Sequence, residues 1–136
     1  GDLAHRQSIS IRATLDPALP IITGDKVQFQ QVLMNLMLNG IEAMMEGDGE
    51  LNISSQKTDD AELLVSISDT GTGLPVQDPE RVFDAFFTTK THGTGMGLSI
   101  SRRIIESHGG RLWASNNVPR GAVFQFAVPI GPRTPA

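Results

Sequence analysis

Glycine alternates with larger residues in the stretch Gly93-Thr94-Gly95-Met96-Gly97-Leu98, and a run typical of a helix follows it. Glycine allows the backbone to come close to a ligand, and free amide groups at the start of a helix attract anions. The stretch therefore predicts a cradle for phosphate groups where a helix begins. Because glycine clusters also form plain turns, the interpretation depends on three further motifs upstream.

Two asparagines, Asn35 and Asn39, lie four residues apart and share one face of a predicted helix. Glu42 and Glu46 extend the same stripe. An amide oxygen is a hard ligand of the kind that Mg²⁺ accepts together with phosphate oxygens. On the pattern alone, a solvated polar face is favoured over a metal site.

Asp69-Thr70-Gly71-Thr72-Gly73 follows a predicted strand. A carboxylate at the end of a strand can accept a hydrogen bond from an exocyclic amine such as that of adenine. The two glycines would let the backbone turn beneath a flat ring. The alternative is an ordinary turn of the Asp-Gly kind.

Three phenylalanines, Phe83, Phe86 and Phe87, lie within five positions and are followed by Thr88-Thr89-Lys90. We interpret the phenylalanines as packing residues. Lys90 stands just before the glycine-rich stretch, so we expect its charge to reach phosphate oxygens, although a surface lysine is the simpler interpretation. A glycine-rich segment between two anchored ends also predicts a mobile lid.

Strands and helices that could position these motifs follow from the hydrophobic periodicity. Alternation and turn residues predict strands at 8–12, 51–57, 62–69, 111–115 and 122–129. Helical spacing predicts helices at 26–45 and 97–107, with a short one at 79–85. The result is an α+β fold, a two-layer α/β sandwich whose mixed, mostly antiparallel sheet is covered on one face by about three helices.

Composition limits the classes of protein that fit. The 136 residues are expected to form a single domain with a core at about 9–130 and a flexible tail at 131–136. The net charge of −4 weighs against nucleic-acid binding, and no apolar run approaches the roughly 20 residues that span a bilayer. The absence of cysteine excludes disulfides and thiolate metal sites and fits a reducing compartment.

Taken in order, the motifs resemble those of bacterial sensor histidine kinases. Residues 35–43 resemble the N box of that family, 69–74 its first glycine box, 83–90 its F box and 93–98 its second glycine box. Gly121-Ala122-Val123-Phe124 is similar to a weaker third glycine element. The resemblance runs from about residue 9 to residue 129, so it covers nearly the whole chain.

The resemblance implies the ATP-binding catalytic domain of such a kinase, with a Bergerat-type sandwich and with ATP and Mg²⁺ as cofactors. Asn39 is the implied Mg²⁺ ligand, and Asn35 would support the metal or the phosphates. Asp69 would hold the adenine amino group, helped by Gly73. The implied catalytic residues are Asn39 and Lys90, and the implied cofactor-binding residues are Asn35, Asn39, Asp69, Gly71, Gly73, Lys90, Gly93, Thr94, Gly95, Met96, Gly97 and Leu98.

Two positions depart from what phosphotransfer requires. Many family members have a lysine or arginine three residues after the Mg²⁺ asparagine, whereas this chain has Glu42, so Lys90 or another basic residue would contact the phosphates. His5 does not match the phosphoacceptor motif of the family. The implied partners are therefore a separate dimerisation domain that carries the histidine and a downstream response regulator. We expect this domain to be a cytoplasmic monomer within a parent kinase that is a homodimer, with or without a membrane anchor.

Three other functions share the same expected fold. ATP hydrolases such as gyrase, the Hsp90 chaperones and mismatch-repair proteins have a general-base glutamate one helical turn before the Mg²⁺ asparagine. That position is Asn35 here, and a neutral amide cannot take a proton, which favours transfer over hydrolysis. A non-enzymatic nucleotide sensor is the second alternative, and the intact motifs weigh against it. A serine kinase acting on anti-sigma regulators is the third, and the segment at 83–90 weighs against it.

Overall fold

The computed structural model describes residues 9–15, 26–44, 47–75, 77–84 and 97–130. The elements confirm the predicted order, and their ends differ from the predicted ones by a few residues. No helix in the described ranges is long and apolar enough to cross a membrane. In chain order the elements are β1 (Ile9–Leu15), α1 (Lys26–Ala43), β2 (Gly49–Lys57), β3 (Glu62–Ser68), a 3₁₀ helix (Pro79–Phe83), α2 (Gly97–Ser107), β4 (Arg111–Asn116) and β5 (Ala122–Pro129).

The five strands form one sheet in the order β1-β2-β3-β5-β4. β1 pairs with β2 in parallel, and the other three pairings are antiparallel. This arrangement confirms the predicted mixed, mostly antiparallel sheet. It also places β5 between β3 and β4, so the last described strand along the chain lies inside the sheet.

The two faces of the sheet differ in chemistry because side chains alternate along each strand. On one face Ile67 lies opposite Phe124, and both are buried. The same core contains Leu36 of α1 and Ile105 of α2, so the helices pack on that face. On the other face the carboxamide of Gln125 donates to the hydroxyl of Ser66 and accepts from the indole of Trp113.

α2 ends where glycine permits a left-handed backbone. Gly109 has a φ of +79°, and the amide of Gly110 donates to the carbonyl oxygen of Ile105, which closes the end of the helix. A Cβ atom on Gly109 would lie 3.6 Å from the ring of Pro129, which is an ordinary contact. The position therefore requires glycine for its φ but has space for a side chain.

Candidate functional site

Asp69 directly follows β3 and is 2% exposed. Its Oδ1 accepts hydrogen bonds from the amides of Gly71, at 2.8 Å, and Ala122, at 3.2 Å. The bond from Gly71 is the geometry of an ordinary Asx turn, as the simpler interpretation predicted. The bond from Ala122 goes beyond it, because it ties the carboxylate to the first residue of β5. Asp69 is therefore held in one orientation by two backbone donors.

The loop at Asp69–Leu74, here called the acidic loop, packs against the C-terminal half of α1. A Cβ atom on Gly71 would overlap the carbonyl oxygen of Ala43, and that oxygen accepts a hydrogen bond from the amide of Thr72 at 3.2 Å. A Cβ atom on Gly40 would lie 2.6 Å from Leu51 and 3.5 Å from the Cβ of Asp69. Glycine at position 71 thus allows the loop to touch the helix directly, and glycine at position 40 leaves space for Leu51 of β2.

Asn35 connects α1 to the beginning of α2. Its Nδ2 donates to the carbonyl oxygen of Gly97 at 3.2 Å and to the hydroxyl of Ser101 at 3.1 Å. Ser101 is fully buried, and Asn35 is half-buried between the helices. Asn35 therefore does not lie on a solvated face, which corrects that interpretation of its pattern. Its predicted support of a metal or of phosphates remains a prediction.

Asn39 lies one helical turn after Asn35 and immediately before Gly40. α1 thus contacts the start of α2 through Asn35, and it runs close to Asp69 at Gly40. The half-buried Asn39 lies between these two positions on the helix. The described residues contain no group of three or more His, Cys, Asp or Glu side chains able to hold a metal ion. An amide oxygen such as that of Asn39 is chemically compatible with Mg²⁺, because Mg²⁺ accepts one or two protein oxygens and completes its shell with phosphate oxygens and water.

The acidic loop is also held by residues 117–121, which form the turn between β4 and β5. The carboxamide of Asn117 donates to the carbonyl oxygen of Asp69, and the Nε of Arg120 donates to that of Gly71, both at 2.8 Å. Gly121 has a φ of +105°, and a Cβ atom there would overlap the carbonyl oxygen of Asp69. The third glycine element therefore has a steric reason: it allows the β4–β5 turn to lie against Asp69.

Gly73 and Leu74 complete the acidic loop. Gly73 adopts a φ of +86°, a conformation that other residues rarely take, and Leu74 is buried in the core. The amide of Leu74 points to the carboxamide oxygen of Asn116 at 3.4 Å. The predicted sharp turn after Asp69 is thus present, with its far end anchored in the core.

A cavity of about 330 Å³ lies between the end of α1 and the acidic loop. Its volume is at the lower end of the range of small-molecule sites. The lining does not include Asn35, Asn39 or Asp69, so the cavity does not coincide with the predicted metal site. The lining residues are Ala43, Met44, Gly47, Asp48, Thr70, Gly71, Thr72 and Arg120.

The 3₁₀ helix is fixed to α2. Phe83 is buried and meets the ring of Phe124 edge to face, and the guanidinium of Arg102 lies 4.1 Å from the centre of the Phe83 ring. Arg102 also forms an ion pair with Glu80 at 2.9 Å. The interpretation of Phe83 as a packing residue is confirmed, while Phe86 and Phe87 lie outside the described residues.

Several predicted site residues are outside the described ranges, namely Lys90, Gly93, Thr94, Gly95 and Met96. Among the described ones, Asp69, Gly71 and Gly73 share the acidic loop, and Asn35 contacts Gly97, next to Leu98. Asn117 and Arg120 were not predicted. The Asn-Asn pair signalled a hairpin turn only, and no local pattern indicates that it contacts a loop nearly 50 residues earlier.

Comparison with known proteins finds matches over most of the chain. Residues 24–132 match the family model described as histidine kinase-, DNA gyrase B-, and HSP90-like ATPase. The chain is 45% identical over 127 residues to the sensor protein FixL of Bradyrhizobium diazoefficiens and 42% identical over 130 residues to the sensor protein TdiS of Thauera aromatica. Each alignment covers 93% of this chain, and the chain spans about a quarter of either relative, 25% and 24% respectively.

Solved structures show the same fold. The nucleotide-free catalytic domain of histidine kinase ThkA has a TM-score of 0.80 at 40% identity, covering 90% of this chain and 80% of that one. Full-length ShkA in complex with AMPPNP has a TM-score of 0.78 at 28% identity, covering 93% of this chain and 27% of that one. ThkA in complex with the response regulator TrrA has a TM-score of 0.75 at 35% identity, covering 90% and 34%. The chain therefore belongs to the family of histidine kinase-, DNA gyrase B- and HSP90-like ATPases, and within it to the ATP-binding domains of sensor histidine kinases.

Proposed function

We propose that this chain binds Mg-ATP and donates the γ-phosphate to a histidine on a separate dimerisation domain. The observation that carries the proposal is the contact of α1 with both halves of the site. α1 runs close to Asp69, since a Cβ atom on Gly40 would lie 3.5 Å from the Cβ of Asp69, and Asn35 donates to the carbonyl oxygen of Gly97 at the start of α2. One helix thus holds the group proposed for adenine and the helix start proposed for phosphate at a fixed separation.

Each site residue then has a distinct task. The carboxylate of Asp69 is held by the amides of Gly71 and Ala122, and it accepts a hydrogen bond from the exocyclic amine of adenine. The amide oxygen of Asn39 is the proposed ligand of Mg²⁺. When bound, Mg²⁺ would neutralise charge on the phosphates. Asn35 holds the first turn of α2, and the backbone amides there donate hydrogen bonds to phosphate oxygens. Lys90 is proposed to approach the γ-phosphate.

Transfer to histidine requires positioning and charge neutralisation rather than a general base in this domain. Asn35 supports that distinction. Its carboxamide cannot accept a proton, and its Nδ2 already donates to Gly97 and Ser101. A hydrolase would need a carboxylate in reach of an attacking water. We therefore propose transfer to a protein side chain and not release of free phosphate.

The proposed partners follow from the same chemistry. The phosphoryl group needs an imidazole that this chain does not offer within a phosphoacceptor motif, so the acceptor belongs to a dimerisation domain of the parent kinase. The complex of the similar ThkA with its response regulator TrrA supports a response regulator as the downstream partner. We propose that the parent protein is a homodimeric two-component kinase working in the cytoplasm.

The test combines this chain, Mg-ATP labelled on the γ-phosphate and the histidine-bearing dimerisation domain of a related kinase. We expect acid-labile label on the partner, none on a partner whose histidine is replaced by alanine, and strongly reduced label with Asn39→Ala. Steady release of inorganic phosphate without label on the partner would identify a hydrolase. Binding of Mg-ATP without either product would identify a nucleotide sensor.

A further inference from the structure

The β4–β5 turn contacts the acidic loop through side chains that regular pairing of strands does not require. Asn117 donates to the carbonyl oxygen of Asp69 and Arg120 to that of Gly71, each at 2.8 Å. The Asp69 carbonyl belongs to the peptide group between residues 69 and 70, and the Gly71 carbonyl belongs to the one between residues 71 and 72. The two bonds therefore hold the peptide groups on either side of the one that carries the Gly71 amide.

The same backbone holds the Asp69 carboxylate. The amide of Gly71 donates to Oδ1, and so does the amide of Ala122, directly after the β4–β5 turn. A rotation of the peptide groups at 69–71 would move the first donor, and a shift of the turn would move the second. The direction of the carboxylate therefore depends on how the turn lies against the acidic loop.

We propose that Asn117 and Arg120 are positioning residues that set the base selectivity of the nucleotide site. This inference rests on the proposed function, in which Asp69 accepts the exocyclic amine of adenine. Neither side chain needs to touch the base, because each acts through the backbone that orients Asp69. Loss of either bond lets the carboxylate turn away from the amine and weakens the preference for adenine.

Arg120 is well suited to this task. Its side chain is exposed overall, yet its Nε bond to the Gly71 carbonyl is short, and charge-assisted bonds are roughly twice as strong as neutral ones. Arg120 also lines the cavity of about 330 Å³ beside the acidic loop. An exposed residue can be replaced without loss of the core, so its effect on binding can be measured in folded protein.

The experiment compares Mg-ATP with Mg-ITP, which carries an oxygen where ATP has its exocyclic amine. Dissociation constants for both are measured by calorimetry for the wild-type chain, Arg120→Met, Asn117→Ala and the control Val118→Ala. Val118 lies in the same turn, and its side chain is 87% exposed. A melting temperature is recorded for each variant.

We expect the wild type to prefer ATP and both positioning variants to lose about fivefold in ATP affinity, which is the size of one net hydrogen bond. Their affinity for ITP should stay within about twofold of wild type, so the ratio of the two constants shrinks. Val118→Ala should retain the wild-type ratio. If Asn117→Ala does not fold, the ratio of ATP to ITP affinity in Arg120→Met alone tests the inference.

Two outcomes would overturn the inference while leaving the proposed function intact. An unchanged ATP-to-ITP ratio with a lowered melting temperature would make the contacts purely structural. An equal loss for ATP and ITP would mean that Arg120 attracts the phosphates instead. A wild-type chain that binds no Mg-ATP would be a different result, since it would overturn the proposed function itself.

Discussion

Replacing Gly121 by alanine tests the steric contact between the β4–β5 turn and Asp69. Gly121 has a φ of +105°, and a Cβ atom there would overlap the carbonyl oxygen of Asp69. The left-handed backbone costs an alanine about 1–2 kcal/mol, and overpacking against backbone adds about 1–3 kcal/mol. The expected loss in the free energy of unfolding is therefore about 2–5 kcal/mol.

Gly109→Ala is the matched control. Gly109 also has a positive φ, +79°, but among the described residues a Cβ atom there would meet only Pro129, at 3.6 Å. It should lose only the backbone contribution of about 1–2 kcal/mol. At roughly 4 °C per kcal/mol for a domain of this size, the two variants should melt about 4–12 °C apart.

The assay is urea denaturation and thermal melting of both variants, with Mg-ATP affinity measured on whatever remains folded at 10 °C. Gly121→Ala should also weaken ATP binding, because the displaced turn removes the Ala122 amide from Asp69. Gly109→Ala should leave it unchanged, since Gly109 lies at the end of α2 away from this loop. Equal destabilisation of the two variants, with unchanged ATP affinity in Gly121→Ala, would refute the steric argument.

Three further predictions concern the core, the surface and the metal. Leu36→Ala removes a fully buried side chain of α1 and should lower the free energy of unfolding by about 2–5 kcal/mol in urea titrations; a loss below that range would show that the core collapses around the gap. Glu80→Gln breaks the ion pair with Arg102, which is partly exposed, so we expect a loss under about 1 kcal/mol that disappears in 1 M salt. Removal of Mg²⁺ with a chelator should weaken ATP binding at least tenfold in the wild type and little in Asn39→Ala, measured by calorimetry; equal chelator sensitivity in both would remove Asn39 from the metal site.

Local pattern was sufficient to predict the helices and strands and the sharp turn after Asp69. The three- and four-residue apolar spacing of α1 predicted its buried side, including Val32 and Leu36. A strand followed by Asp69 and two glycines predicted the acidic loop, because the carboxylate, the turn and the close approach all arise within five residues. Such features depend on neighbours along the chain, which is why the sequence shows them.

Contacts between segments that are distant in sequence could not be predicted from local pattern. Ile11 of the edge strand β1 lies in register with the buried Leu51 but is 55% exposed, whereas Leu112 of the other edge strand, β4, is 1% exposed. The alternation of β1 is the same as that of an interior strand, so periodicity does not reveal the difference. Likewise, the sequence around Asn117 and Arg120 indicates a turn and nothing more. The pairing of β5 with β3 brings both residues to the acidic loop.

The position of β5 inside the sheet has a consequence for biosynthesis. A ribosome releases β3 and the acidic loop long before it releases Ala122–Pro129, so the nascent chain has the carboxylate without one of its two amide donors. β3 meanwhile lacks a neighbour on one side, and β4 has none of its described sheet partners. Sheets that wait for a distant strand fold slowly and expose unpaired edges. The proposed nucleotide site is therefore complete only after translation has passed β5.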